Sequence, residues 1–141
     1  MLRVTCLSAG RRVTCYVIMR HLNKGRELGR VRNQRTALFR TMLGSLILKE
    51  KITTTEAKAK ELKNKIDRII NKAKSAREAG KKVSVIRDLR GNIPLVAVNK
   101  LMTGEFVSKF DARKSGYVRI IKLAPRKSDG ARMAVIELIT D

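Results

Sequence analysis

The chain has 141 residues, of which 43% are hydrophobic and 32% charged, a composition that suits one folded domain with its own core. The 33 Lys and Arg residues outnumber the 12 Asp and Glu residues, and the net charge of +21 indicates a polyanionic partner: nucleic acid, an anionic membrane surface or an acidic protein. No apolar run approaches the roughly 18 residues of a membrane span, and one histidine with two cysteines cannot complete a usual metal site.

Residues 1–18 carry arginines and hydroxyl side chains but no acid. Arg11 and Arg12 interrupt the apolar residues, which excludes a secretory signal peptide. Two interpretations stay open for this segment: an organellar transit peptide, or an over-extended reading frame whose real start is Met19. Both cysteines, Cys6 and Cys15, lie here, so we assign them no role and predict no disulfide framework.

Residues 19–36 are strongly basic, contain glycines and show no helical periodicity. Across residues 1–36, nine basic residues accompany a single acid, Glu27. Such a segment cannot build a core of its own and is typical of an arm that becomes ordered on an acidic surface. A solvated, flexible tail is the alternative interpretation.

From about Ala37 the apolar residues take up helical spacing, and they continue to about Glu50. The apolar face of this first predicted helix contains Leu38, Phe39, Met42, Leu43, Leu46 and Ile47. Gly44 lies within the pattern, where it weakens helix propensity but permits close packing of another element.

A short β-prone stretch around Ile52 leads into a second predicted helix. Thr53 and Glu56 match a capping box, and an amphipathic pattern continues to about Lys74. The apolar face of this helix contains Leu62, Ile66, Ile69, Ile70 and Ala73. The polar face of this helix is rich in lysine, and two i,i+4 ion pairs account for some of these lysines: Glu56 with Lys60 and Glu61 with Lys65. A solvated surface therefore explains this face as well as RNA contacts do.

Residues 75–94 contain glycines, lysines and a proline, and they predict a basic linker with a short helical piece at 83–90. A third helix starts near Leu95 and is interrupted by Gly104. Two β-branched runs, 116–123 and 133–139, follow around a basic loop and predict an antiparallel hairpin. With Ile52 in a third strand, the predicted fold of residues 37–141 is α+β, with three helices packed on a small, mainly antiparallel three-stranded sheet behind the basic N-terminal arm.

No motif supports an enzyme. The chain lacks the phosphate loop, the dinucleotide fingerprint and the nucleophile elbow, and neither cysteine lies in the predicted domain. Glu137 on a strand is conceivable as a base, but a structural carboxylate is far more common there. We therefore predict no catalytic residue, no cofactor, no metal and no small-molecule substrate.

Aromatic residues are too few to build a base-stacking surface. Three of the five, Phe39, Phe106 and Phe110, have the helical spacing of core residues. Modules that read single-stranded RNA stack its bases on aromatic side chains, so we predict binding through phosphate and sugar contacts and shape. A structural RNA-binding protein and a general architectural binder of nucleic acid both agree with these observations.

Four separated motifs occur in order between Met19 and about Ile139. They are Met19-Arg20-His21 with Gly25-Arg26 and Leu28-Gly29-Arg30; Gly44-Ser45-Leu46; Thr54-Thr55 with Ala57-Lys58-Ala59-Lys60-Glu61-Leu62; and Gly116-Tyr117 with Arg119-Ile120, Lys122-Leu123, Met133-Ala134 and Ile136-Glu137-Leu138. This ordered set resembles the bacterial-type large-subunit ribosomal protein number seventeen family. Residues 1–18 lie outside the family pattern.

The resemblance implies a structural constituent of the large ribosomal subunit in the cytoplasm, with an organellar ribosome the less favoured setting. It implies large-subunit rRNA and neighbouring ribosomal proteins as partners, a monomer within the ribosome and no membrane. It also implies that the basic extension is threaded into rRNA, with an α+β domain behind it. From the resemblance and the charge together, the predicted RNA-binding residues are Arg20, His21, Lys24, Arg26, Arg30, Arg32, Arg35, Arg40, Lys58, Arg119, Lys122 and Arg126.

Overall fold

The structure, a computed structural model, describes residues 25–78 and 81–139. The elements in these residues are α1 (Arg32–Lys49), β1 (Lys51–Thr55), α2 (Glu56–Glu78), α3 (Lys82–Asn92), α4 (Leu95–Met102), α5 (Glu105–Ser108), β2 (Val118–Lys122) and β3 (Met133–Leu138). The α+β prediction is confirmed, but the predicted number of three helices is wrong, since the described residues contain five. The predictions for residues 1–24 fall outside the described part of the chain.

The three strands form one antiparallel sheet in the order β1-β3-β2. Ile136 of the central strand pairs with Ile52 on one side and with Ile120 on the other. The predicted hairpin and the predicted third strand are therefore confirmed. Because side chains alternate along a strand, Ile136 is buried in the core while Glu137 lies on the opposite face of the sheet.

Helix α2 is the centre of the domain, since it contacts every other described element. Leu62, Ile66 and Ile70 are fully buried along it, at the four-residue spacing that the sequence pattern predicts. The sheet and the other helices pack around this apolar face. The lysine-rich face of α2 is thereby left beside the start of α1 and the hairpin, where the candidate interface lies.

Helix α1 is held against α4 by a very close approach. A Cβ atom at Gly44 would lie 2.8 Å from two ring carbons of Pro94, the residue before α4. The close packing that Gly44 predicts is confirmed. At its other end α1 stops at Glu50, in the left-handed conformation, and the Glu50 carboxylate accepts hydrogen bonds from Lys100 at 3.3 Å and Lys109 at 3.2 Å.

Two helix starts differ from the predicted ones. Helix α1 begins at Arg32 rather than near Ala37, so its first turn takes in the end of the predicted arm. The predicted capping box of α2 is wrong, because Thr53 is a residue of β1 and the helix begins at Glu56. The Glu56 backbone N–H donates instead to the Arg132 carbonyl at 2.9 Å, so the neighbouring hairpin takes the place of a local cap.

Much of the predicted basic linker at 75–94 is helical. Helix α2 continues to Glu78, and α3 includes the predicted helical piece at 83–90. Leu89 is fully buried, and Val85 and Ile86 pack partly against the core. These three apolar residues bring α3 onto α2, and this burial outweighs the local glycine and lysine signals. No described helix is long and apolar enough to cross a membrane.

Candidate nucleic-acid interface

The predicted RNA-binding residues fall into two groups on the structure. One group comprises the residues before and within α1, together with Lys58 of α2, and the other comprises Arg119, Lys122 and Arg126 of the hairpin. Arg20, His21 and Lys24 lie outside the described residues. The two groups approach each other at the start of α2.

The residues just before α1 are tied to the domain. The Arg26 Nε atom lies 3.8 Å from Glu61 Oε1 of α2, although the Arg26 side chain remains 51% exposed. Leu28 packs partly against the core, and the Arg30 guanidinium donates to the Leu28 carbonyl at 3.0 Å. The end of the predicted arm is therefore anchored, with Arg26 and Arg30 at the surface.

The first turn of α1 is uniformly positive. It contains Arg32 and Arg35, no acidic residue and no side-chain cap, and the helix dipole adds positive potential at the same end. The charge of Arg35 acts on Lys65 of α2, as does that of Arg68 one helical turn further on. We call Arg35, Lys65 and Arg68 the cationic cluster.

Lys65 is the best defined member of the cationic cluster. Its ammonium lies 4.0 Å from the centroid of the Phe39 ring, within the range of a cation–π contact. Partial burial is the main cause that lowers the pKa of Lys65 from 10.5; the charge of Glu61 opposes this change, and the charges of Arg35 and Arg68 add to it. The fold thus holds an ammonium in place among other positive charges.

Lys65 and Arg68 are absent from the predicted set, because the spacing of Glu61 and Lys65 indicates an i,i+4 ion pair. That ion pair does not form within salt-bridge distance, since Glu61 lies beside Arg26 instead. The other predicted ion pair, Glu56 with Lys60, is confirmed at 2.7 Å. The position of Lys65 and Arg68 three residues apart on the polar face of α2 is the sequence signal that could have found them.

Arg40 and Lys58 differ in their surroundings. The Arg40 guanidinium donates to the Arg90 carbonyl near the end of α3 at 3.1 Å, so it connects α1 to α3. Lys58, in the first turn of α2, is half-buried and has no salt-bridge partner among the described residues. Arg40 therefore has a structural contact, whereas the charge of Lys58 is uncompensated.

The hairpin cations are exposed but paired. Arg119 donates from Nε and Nη2 to Glu137 Oε1, at 2.8 and 2.5 Å, and the Lys51 ammonium lies 3.8 Å from the other oxygen of Glu137. Arg126 donates to both carboxylate oxygens of Asp129 at 2.9 Å. Glu137 is thus a structural carboxylate. Pairs this exposed are weak, so RNA phosphates can compete for their arginines.

A concave surface lies where the hairpin meets the start of α2. Its volume is about 310 Å³, and it is lined by Arg26, Thr55, Glu56, Ala57, Lys60, Ala131 and Arg132. A hydrogen bond from Lys60 lowers the pKa of Glu56, and the charges of Lys122 and Arg132 add to this effect. The Lys122 ammonium, 77% exposed, is 4.0 Å from the Glu56 carboxylate. Cations thus surround the one acid of this surface.

The described aromatic side chains are all buried: Phe39, Phe106, Phe110 and Tyr117. Phe110 makes edge-to-face contacts with Phe106 and Tyr117, at centroid distances of 5.4 and 5.5 Å. The prediction that the three phenylalanines belong to the core is confirmed. The described surface therefore offers cations for phosphates but no ring on which a base can stack.

A larger cavity, of about 680 Å³, lies between α2 and the loop that precedes β2. Its lining contains Asn71, Lys74, Ser75, Arg77, Asp111, Arg113, Lys114 and Tyr117. Lys74 donates to the Phe110 and Arg113 carbonyls, and Arg77 pairs with Asp111 at 3.1 Å. Most of its cations thus have protein partners that fasten the loop to α2. The described residues contain no group of three metal-ligating side chains.

Comparison with known proteins gives consistent matches. A family model described as ribosomal protein L17 matches residues 38–139. A large ribosomal subunit protein bL17 from Rubrobacter xylanophilus is 43% identical over 126 residues, which cover 86% of this chain and 96% of the relative. The bL17 protein of Staphylococcus carnosus is 39% identical, covering 81% of this chain and 98% of the relative. That of Chlorobium luteolum is 40% identical, covering 86% and 67% respectively.

Proposed function

The chain belongs to the ribosomal protein L17 family, and from that premise we propose that it is a structural constituent of the large ribosomal subunit. In this function it binds large-subunit rRNA through phosphate contacts and supports translation without catalysing a reaction. Its partners are the rRNA and neighbouring large-subunit proteins, with one copy of the chain per site.

The observation that carries this proposal is a surface rich in uncompensated cations and poor in aromatic rings. Many exposed basic residues have no salt-bridge partner among the described residues: Arg32, Lys49, Lys63, Arg68, Lys81, Lys82, Arg87, Arg90, Lys114, Lys127 and Arg132. Such a surface gains binding free energy from the release of counterions when phosphates replace them. Sequence-specific reading of stacked bases has no support on it.

Within this function we assign the first RNA contacts to the basic arm, residues 19–36, and the remainder to the domain that follows. The anchoring of Arg26 on Glu61 supports this division, because it fixes where the arm leaves the domain. The exposed hairpin arginines supply further contacts once phosphates replace Glu137 and Asp129 as their partners.

The experiment is a binding titration of the full-length chain with transcribed large-subunit rRNA over a salt series. With six to ten phosphates engaged, the affinity should fall by about 10³–10⁵ between 50 and 200 mM salt. A variant with Arg20, Lys24, Arg26 and Arg30 changed to Gln should lose about four units of the salt slope. Its matched control changes Lys72, Arg77, Lys100 and Lys109 to Gln, since these cations already have carboxylate partners.

A shallow salt dependence, or arm and control variants with equal slopes, would contradict the proposal. Duplex DNA provides the other comparison, since a general architectural binder takes it with the same affinity as rRNA. In lysate, the chain should sediment with large subunits through a high-salt cushion. Its retention in the supernatant would count against a ribosomal constituent.

A further inference from the structure

We propose that the cationic cluster of Arg35, Lys65 and Arg68 is a phosphate-binding site for the rRNA backbone, formed where the end of the arm meets α2 and separate from the hairpin. The proposal rests on the proposed rRNA-binding function and names a site within it. Two helices supply the site: α1 provides Arg35, and α2 provides Lys65 and Arg68. The fold, rather than a contiguous motif, brings them together.

The first support is that the fold positions the ammonium of Lys65. Phe39 is a buried residue of α1, and its ring holds the Lys65 ammonium at 4.0 Å. A lysine on a helix surface ordinarily moves through many rotamers, so this contact reduces the entropy lost when a ligand binds. Arg35 is half-buried beside it, which likewise restricts its guanidinium.

The second support is that no carboxylate lies within salt-bridge distance of the cluster among the described residues, although the charge of Glu61 acts on Lys65 from further away. None of its three members has a salt-bridge partner among the described residues, and the nearby acid, Glu61, is engaged by Arg26 at 3.8 Å. Among the other cations of α2, Lys60 has Glu56 and Arg77 has Asp111, whereas Lys58 and Lys63 also have no salt-bridge partner among the described residues. Like charges that lie close together oppose folding, and a bound anion offsets that cost.

The third support is the match between these groups and a phosphodiester. Guanidinium groups donate forked hydrogen bonds to two phosphate oxygens, and an ammonium adds a point charge. The positive end of α1, which has no acid in its first turn, contributes to the same potential. Cations from two helices suit an RNA backbone, which presents successive phosphates, better than they suit a single carboxylate.

The test uses the full-length chain and transcribed large-subunit rRNA. The variant Arg35→Gln/Lys65→Gln/Arg68→Gln is compared with Lys72→Gln/Arg77→Gln/Lys109→Gln, which removes the same charge from three cations that already have carboxylate partners: Asp88, Asp111 and Glu50. We expect the cluster variant to lower the salt slope by about three units, and the control variant to lower it by less than one unit.

The outcomes separate the two proposals. If the wild-type chain shows no steep salt dependence with rRNA, the proposed function fails. If the wild-type slope is steep but the cluster and control variants have the same slope, only the cluster proposal is overturned. A site for free phosphate would give a different pair of results. The Tm of the wild type would be higher in inorganic phosphate than in chloride of equal ionic strength, and the cluster variant would have the same salt slope with rRNA as the wild type. That result also overturns the RNA site.

A second measurement excludes a structural role for the cluster. Without RNA, Arg68→Gln should raise the Tm of the full-length chain by about 1–3 °C, because it relieves repulsion around Lys65. Lys63→Gln on the same helix is the control and should leave the Tm nearly unchanged. A lower Tm for Arg68→Gln would show that the arginine stabilises the fold, and would overturn its assignment as a ligand-binding residue.

Discussion

The cationic cluster and the β2–β3 hairpin are both positive, but they differ in how far nearby carboxylates compensate their cations. In the hairpin, Arg119 and Arg126 have carboxylate partners at hydrogen-bond distance. In the cluster, Lys65 lies over an aromatic ring among other cations, and its neighbouring acid is engaged by Arg26. The hairpin cations must exchange a partner to bind RNA, whereas the cluster cations need only release solvent ions.

This difference shows that exposure alone is a poor guide to a phosphate site. Arg119 is 64% exposed, but part of its binding capacity is already used by Glu137. Compensation by nearby acids is the more informative property, because phosphate must outcompete any carboxylate that is present.

The largest expected effect concerns the packing that positions α1, and with it one side of the cluster. Gly44→Ala places a methyl group 2.8 Å from the Pro94 ring, so we expect it to destabilise the full-length chain by about 1–3 kcal/mol. Gly91→Ala is the matched control, since that position on α3 is open, and alanine should stabilise it by about 0.5–1 kcal/mol. Urea denaturation measures both. Equal effects would show that the close approach is not constraining.

A smaller effect should follow when the hairpin is made to resemble the cluster. Glu137→Gln removes the partner of Arg119 and Lys51 and should raise rRNA affinity at low salt by about two- to fivefold. Glu105→Gln removes the same charge from an exposed acid that has no salt bridge among the described residues. If the two variants bind equally, the gain comes from net charge, and the internal pairing of the hairpin has no effect on binding.

The smallest effect is the response of the hairpin side to acid. Hydrogen bonds from Lys60 and Arg126 lower the pKa values of Glu56 and Asp129 below their ordinary values of 4.5 and 3.8. Because these pKa values are lowered in the folded state, the two carboxylates stabilise the fold when the pH is above their ordinary pKa values. This stabilisation is lost as the pH falls through the lowered pKa values. In thermal melts from pH 6 to 3, Glu56→Gln/Asp129→Asn should therefore lose less Tm than the wild type. Parallel Tm profiles would contradict this.

The sequence predicts the elements that bury many apolar residues and misses those that depend on contacts with other elements. The periodicity of Leu62, Ile66 and Ile70 is enough to predict α2, and the β-branched runs predict the hairpin. Helix α3 is only partly predicted, because its few apolar residues gain their burial from α2. The capping box fails for a similar reason, since Thr53 is required by the sheet.

The candidate interface shows the same division. Charge counts and the family resemblance select individual cations, and the structure shows those in the described residues to be exposed or half-buried. They do not indicate which cations are neutralised, because the decisive partners are distant in sequence, as Arg26 is from Glu61 and Arg119 from Glu137. The i,i+4 rule pairs Glu61 with Lys65 because the sequence does not show that Arg26 lies beside Glu61.

The order of the strands has a consequence for biosynthesis. Strand β3 is the last described element to be made, yet it lies between β1 and β2, and within residues 25–78 and 81–139 it is the only strand to which either of them is hydrogen-bonded. During translation neither earlier strand has a neighbour until β3 has left the ribosome, so the sheet closes late and in one step. A chain truncated before Met133 would lose the whole sheet rather than one edge of it, and such products are expected to be recognised by proteases as unfolded.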